Sequence, residues 1–139
     1  LSTPAASLHP NMYGVPKHLN LNPFVGATLA AVEPLEYVFY FRFRSAASSR
    51  RLAPTTPPEI GVEGRWVLSS PTAEPLLSGS PIPPSLASLQ SLLGLRIASF
   101  EVSAPTSFCL VFETGHRLEF FDSDPAYETL SVSPGDVFI

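Results

Sequence analysis

The sequence predicts a mainly β protein of the α+β class: two similar antiparallel β-meander units with one short helix. Three observations predict it. Apolar runs of strand length recur between turn residues, most clearly Phe108-Cys109-Leu110-Val111-Phe112, Gly115-His116-Arg117-Leu118-Glu119-Phe120-Phe121 and Tyr127-Glu128-Thr129-Leu130-Ser131-Val132, broken at Thr114-Gly115 and Ser123-Asp124-Pro125. Tyr37, Phe39, Phe41 and Phe43 occupy alternate positions, with Arg42 and Arg44 between and after the last of them, the period of a strand with one face on a core. Third, Phe24-Val25-Gly26-Ala27-Thr28-Leu29 aligns with Leu92-Leu93-Gly94-Leu95-Arg96-Ile97, and Phe39–Phe43 aligns with Phe108–Phe112 one gapped residue later. Gly64-Arg65-Trp66-Val67-Leu68 is then matched to Gly115-His116-Arg117-Leu118-Glu119, so the pattern reads as an internal duplication. A lone three-strand meander buries only one face, which two copies can cover for each other.

Taken in order, residues 1–20 carry three prolines and no periodicity and are expected to be an extended N-terminal arm. Residues 21–139 form one β-rich domain of two related units, 21–70 and 85–139. In the first unit, strands are expected over 23–32 and 35–44, separated at Glu33-Pro34, and over 64–68. Residues 45–63, rich in serine, proline and arginine, read as a long loop. Residues 71–84, with Pro71, Pro75, Pro81, Pro83 and Pro84, read as a proline-rich linker that cannot be helical and would make a poor central strand. Between Pro84 and Gly94 one short helix is expected, with Ser85 able to cap it, Leu86, Leu89, Leu92 and Leu93 as its apolar stripe, and Gly94 where the chain reverses.

Composition bounds the function. A chain of 139 residues with 45% hydrophobic side chains supports one core, and only 14% of its residues are charged. A single cysteine, Cys109, excludes an internal disulfide framework and a cysteine-rich zinc site, and fits a reducing, cytoplasmic setting. No apolar run reaches the roughly 20 residues of a membrane helix, so no membrane is expected; with Leu1 at the start, a trimmed N-terminus stays open. The net charge of −4 is uneven: residues 1–70 hold six basic against four acidic side chains, and residues 71–139 hold two against eight. An acidic second half repels nucleic acid and attracts a basic partner, or serves as the solvated face that keeps an apolar sheet dispersed.

Catalytic patterns are scarce. There is no glycine-rich phosphate loop, no Gly-x-Ser-x-Gly elbow and no His-Glu-x-x-His pair. Cys109 between Phe108 and Leu110 should be inert; its one conceivable base, His116 on the neighbouring strand, lacks an orienting third group. Asp122, Asp124 and Glu128 could face a hard cation, but the segment lacks the glycine and spaced ligands of a calcium loop. His9 and His18 have no partner at metal spacing, and Arg50-Arg51 is a weak signal for nucleic acid. No cofactor, no metal and no enzymatic activity are expected.

The glycine after the apolar helix end, then Leu110-Val111-Phe112-Glu113-Thr114-Gly115-His116-Arg117-Leu118-Glu119-Phe120, then Tyr127-Glu128-Thr129-Leu130-Ser131-Val132, resembles the small β-rich bacterial immunity proteins of polymorphic or contact-dependent toxin systems. The likeness covers about residues 88–139, with an echo in 21–70. It implies a non-enzymatic binding protein that neutralises a toxin by occlusion, with no catalytic residues to transfer. The expected partner is a basic toxin domain, and the expected contacts are Glu113, Glu119, Asp122, Asp124, Tyr127 and Glu128, with Tyr127 and Trp66 as aromatic anchors where exposed. The alternative is a structural or assembly subunit forming a homodimer or larger oligomer through β-sheet edges. A pocket between the units, lined by Tyr37, Phe39, Trp66 and Phe108, would favour a small-ligand carrier instead.

Overall fold

Alternation decides which way each strand faces, and two glycine turns decide where the strands begin. The computed structural model of the chain describes residues 14–45, 57–122, 129–133 and 137–139. A single 3-10 turn at Asn22–Phe24 leads through Gly26 into β1 (Thr28–Pro34) and β2 (Phe39–Arg44). After them come β3 (Glu59–Val62), β4 (Trp66–Ser69) and β5 (Pro75–Gly79), then the one-turn helix α1 (Ala87–Gln90). The second run is β6 (Ile97–Ser103), β7 (Ser107–Phe112), β8 (Arg117–Phe121), β9 (Leu130–Ser133) and β10 (Val137–Phe138).

The strands form two five-stranded antiparallel sheets, ordered β1-β2-β3-β9-β10 and β5-β4-β8-β7-β6. Each sheet therefore contains a meander from one half of the chain and a hairpin from the other. Alternate residues point inward: Phe39, Phe41, Phe43, Ile60, Val62, Leu130 and Val132 from the first sheet meet Trp66, Leu68, Phe108, Leu110, Phe112, Leu118 and Phe120 from the second, all at most 3% exposed. Aromatic rings stitch the sheets together. Phe39 stacks on Trp66 at 5.5 Å, and Phe41 sits edge-on to both Trp66 (5.2 Å) and Phe120 (5.3 Å), arrangements that add to what area burial alone provides.

The two meanders are joined at their first residues by hydrogen bonds that come in matching pairs, offset by 68 residues (Gly26 to Gly94). The Gly26 amide donates to Ile97 O and the Gly94 amide to Leu29 O, both at 2.8 Å. Between them, Ile97 donates to Ala27 O and Leu29 to Leu95 O, around the bridge Thr28–Arg96. The approach turns match as well: Phe24 donates to Leu21 O as Leu92 does to Leu89 O, and Ala27 to Phe24 O as Leu95 to Leu92 O. Gly26 and Gly94 have φ of 85° and 88°, backbone that a side chain disfavours. Both first strands carry a bulge at the same step, Leu29/Ala31 in β1 and Ile97/Ser99 in β6.

Several expectations need correction. The part of the N-terminal arm that is described, 14–20, is not a loose extension: Val15 and Leu19 are buried, and the Val15 amide donates to Pro105 O. Apolar residues separated by prolines still pack when a sheet offers them a surface. The long loop 45–63 contains β3, whose four residues with a central glycine gave too little periodicity to read. The linker 71–84 contains β5, which begins with Pro75 and lies at the outer edge of its sheet, the place a proline-bounded strand can occupy. The helix is shorter than expected: Ser85 Oγ accepts the Ala87 amide and Leu89 and Leu92 are buried, but Leu93 lies 41% exposed. The third aligned pair was misassigned. Gly115–Glu119 leads into β8, the third strand of its meander, and the strand in that place in the first sheet is β3, not the Trp66 strand β4.

Candidate functional site

Of the residues expected to make an acidic contact surface, Glu113, Glu119 and Asp122 are described, and they lie spread along β8 and its flanks. Glu113 begins the β7–β8 turn, where Gly115 takes φ of 93°. Its amide donates to Arg96 O, and its carboxylate lies 3.7 Å from the Arg96 guanidinium. Glu119 is on the outer face of the second sheet, opposite Cys109 on β7 and Val67 on β4, and accepts the Ser107 hydroxyl at 2.7 Å. Asp122 follows the last residue of β8, half-buried, its amide donating to Thr106 O. At about 3.4 Å per residue, β8 separates Glu113 from Asp122 by well over 15 Å. Asp124, Tyr127 and Glu128 lie outside the described residues.

The same face explains the cysteine. On the outer face of the second sheet Arg117 reaches from β8 to Glu101 on β6 through two hydrogen bonds of 3.1 and 2.6 Å. Because β7 lies between those strands, the ion pair passes over it, and Cys109 is left 3% exposed between Glu101 and Glu119. Burial, first of all, pushes its thiol up to about 11, and the two carboxylates add to that. Thiolate is the reactive form. A thiol-specific reagent at pH 8 should therefore leave Cys109 unmodified over hours in the folded protein and label it within minutes in urea; rapid labelling without denaturant would contradict the burial. His116 is not its base. The imidazole Nδ1 shares a 2.7 Å hydrogen bond with Thr114 Oγ1 inside the turn, whereas Cys109 faces Glu119 several residues further along.

The Glu101–Arg117 pair makes a small pH signature. The Arg117 hydrogen bonds hold the Glu101 carboxyl below its ordinary range. A group that binds protons less readily when folded stabilises the fold above its unfolded pKa, and that contribution disappears as pH falls through the folded value. Glu101→Gln should therefore lower stability at pH 7 by about 1 kcal/mol or less, because the pair is largely exposed, and the difference from wild type should vanish in acid. Urea unfolding of both proteins from pH 7 down to about pH 2.5 checks it; a gap that widens in acid would contradict the assignment.

The first sheet carries a counterpart that sequence reasoning missed. On its outer face Arg42 hydrogen-bonds Glu33 on β1, and its Nε donates to Glu59 on β3 at 2.7 Å, with the guanidinium 4.8 Å from the Tyr40 ring. Hydrogen bonds to the two carboxylates raise the arginine's pKa further, so the guanidinium is a fixed cation held between Glu33 and Glu59. The signal available in the sequence was the alternation itself, which puts Arg42 opposite to Phe41 and Phe43.

Trp66 is no surface anchor. It is fully buried, and its indole N–H donates to Pro81 O at 2.6 Å. Phe39 and Phe108 are buried with it and Tyr37 is exposed, so these four residues do not line a common pocket. Among the described residues no three His, Cys, Asp or Glu side chains are grouped to hold a metal ion, and no helix is long and apolar enough to cross a membrane. No family model, curated protein or solved structure matches the chain.

Proposed function

We propose that the protein is a non-enzymatic, immunity-type binding module, two copies of one five-strand unit in tandem, that neutralises a basic toxin partner by covering its active site. The distribution of charge supports the reading most. Arg42, Arg96 and Arg117 each lie against a carboxylate. Among the described residues Glu36, Glu63, Glu74 and Glu119 have no such cationic partner, against Lys17 and Arg44 as the lysine and arginine side chains without a carboxylate. With a net charge of −4, the surface left over favours a cationic partner and disfavours nucleic acid. The paired hydrogen bonds around Thr28 and Arg96 support the tandem origin. The buried free thiol fits a cytoplasmic site of action.

The experiment is affinity purification of the tagged full chain from its own cells, with mass spectrometry and light scattering of the eluate. A stoichiometric basic partner whose toxic activity the protein suppresses is the expected result. A homo-oligomer with nothing else bound would overturn it in favour of a second reading, assembly through sheet edges. One observation favours that reading: β5 is an outer edge strand, Leu76 on it is 47% exposed, and residues 75–82 include no charged side chain to discourage pairing.

A further inference from the structure

The two meanders end in unlike hairpin tips. In the second sheet the β6–β7 turn, Ala104-Pro105-Thr106, is small and tied down: Pro105 O accepts the Val15 amide at 3.1 Å, and Thr106 O accepts the Asp122 amide at 2.9 Å. In the first sheet the β1–β2 turn is closed on itself by the Leu35 amide donating to Val38 O at 2.8 Å. Its apex, Glu36-Tyr37, points away from the core. Tyr37 is 71% exposed, the most exposed large apolar or aromatic side chain among the described residues, and Leu35 is 45% exposed. The register adds a second carboxylate: Phe39 faces Val62, so the next pair along is Val38 and Glu63. Glu36 and Glu63 are both exposed and have no ion-pair partner among the described residues.

We propose that this tip anchors a basic protein partner, with Tyr37 and Leu35 entering an apolar recess while Glu36 and Glu63 face lysine and arginine side chains at its rim. An aromatic knob ringed by polar groups has the composition of an interface hot spot, and tyrosine supplies contact area at low entropic cost. Folding leaves this tyrosine uncovered although the matching tip of the other meander is small and tied down. The occupant follows from charge. Carboxylates at the rim repel nucleic acid and anionic membrane, and docking the same tip of a second copy would bring Glu36 and Glu63 against their own kind. The inference rests on the reading of the protein as a binder of a basic partner and moves the contact away from Glu113, Glu119 and Asp122.

The test places a photo-crosslinking phenylalanine analogue at position 37, 106 or 119 of the full chain in its own cells. The adduct is identified, and the affinity of the purified partner is measured for Tyr37→Ala and for Glu36→Lys/Glu63→Lys. The expected result is a one-to-one adduct from position 37 alone with a protein of basic isoelectric point. Binding should weaken about 30-fold or more for Tyr37→Ala, and fall for the charge reversal and with added salt, while both variants keep the wild-type circular dichroism. Adducts from 119 or 106 but not 37, or affinity unchanged by Tyr37→Ala, would overturn the tip and leave the binder reading standing. An acidic partner, or no adduct from any position, would overturn both.

Discussion

Trp66→Ala is expected to destabilise the protein by about 3–5 kcal/mol for the lost ring, with a further ~1–3 kcal/mol for the stranded Pro81 carbonyl. That is a large part of the 5–15 kcal/mol typical of a domain. The indole is the piece both sheets share: it stacks on Phe39, meets the edge of Phe41, and ties β4 to the segment after β5 through its N–H. Urea unfolding followed by circular dichroism measures the change, since the variant has no other tryptophan to report by fluorescence. Trp66→Phe separates the two contributions, because it keeps a ring and removes the donor, and about 1–3 kcal/mol should be lost. A loss below about 1 kcal/mol for Trp66→Ala, far short of the usual range, would mean that the sheets do not pack face to face at this point.

The second large effect is expected from one methyl group. A Cβ at Gly79 would lie 2.2 Å from Pro81 O, 2.5 Å from Trp66 Nε1 and 2.7 Å from Trp66 Cε2. Those atoms are held to each other by the indole hydrogen bond, so the methyl would wedge donor from acceptor as well as overfill the site. Overpacking of this kind costs about 1–3 kcal/mol and loss of the bond raises it, so Gly79→Ala should lower stability by roughly 3 kcal/mol or more. It should also shift Trp66 emission to the red. Gly61→Ala is the control. Its Cβ would come within 2.7 Å of Ser131 Oγ and 2.9 Å of the Tyr40 ring, but these are side chains on the outer face that can turn aside. Gly61→Ala should therefore be much the milder of the two in the same urea series. The reverse order would show that the Trp66–Pro81 contact is not the rigid element it looks to be.

The parts of this fold that were legible in the sequence are the longer strands. Phe39, Phe41 and Phe43, alternating with Tyr40, Arg42 and Arg44, announced β2 by their period of two, and Phe108–Phe112 announced β7 as an apolar run of strand length bounded by turn residues. Gly26 and Gly94 marked equivalent turns because left-handed backbone favours glycine. What escaped were the short strands. In β3 and β5, four or five residues carry a glycine or proline, and what makes them strands is pairing with a neighbour, β2 for β3 and β4 for β5, that no pattern within the segment encodes. The site was less legible than the fold. Glu113 and Glu119 read as open acids, but ion pairing to Arg96 and hydrogen bonding by Ser107 depend on which strands become neighbours. Tyr37 read as one more core aromatic in an alternating run; it lies beyond the last β1–β2 pair, Pro34–Phe39, where no facing sheet remains to cover it.

The exchange of hairpins between the two halves bears on how the chain reaches this structure. Sheet one is incomplete until β9 and β10 arrive, and sheet two draws β4 and β5 from the first half. Neither half owns a finished sheet, so no early product of synthesis can hide its apolar face. Contacts such as β3 with β9 close loops of about 70 residues, and distant pairing of that kind slows the search for the native state. The expected kinetics are a single slow refolding phase and one cooperative unfolding transition, with a late step in which both hairpins dock across and the two sheets become stable together.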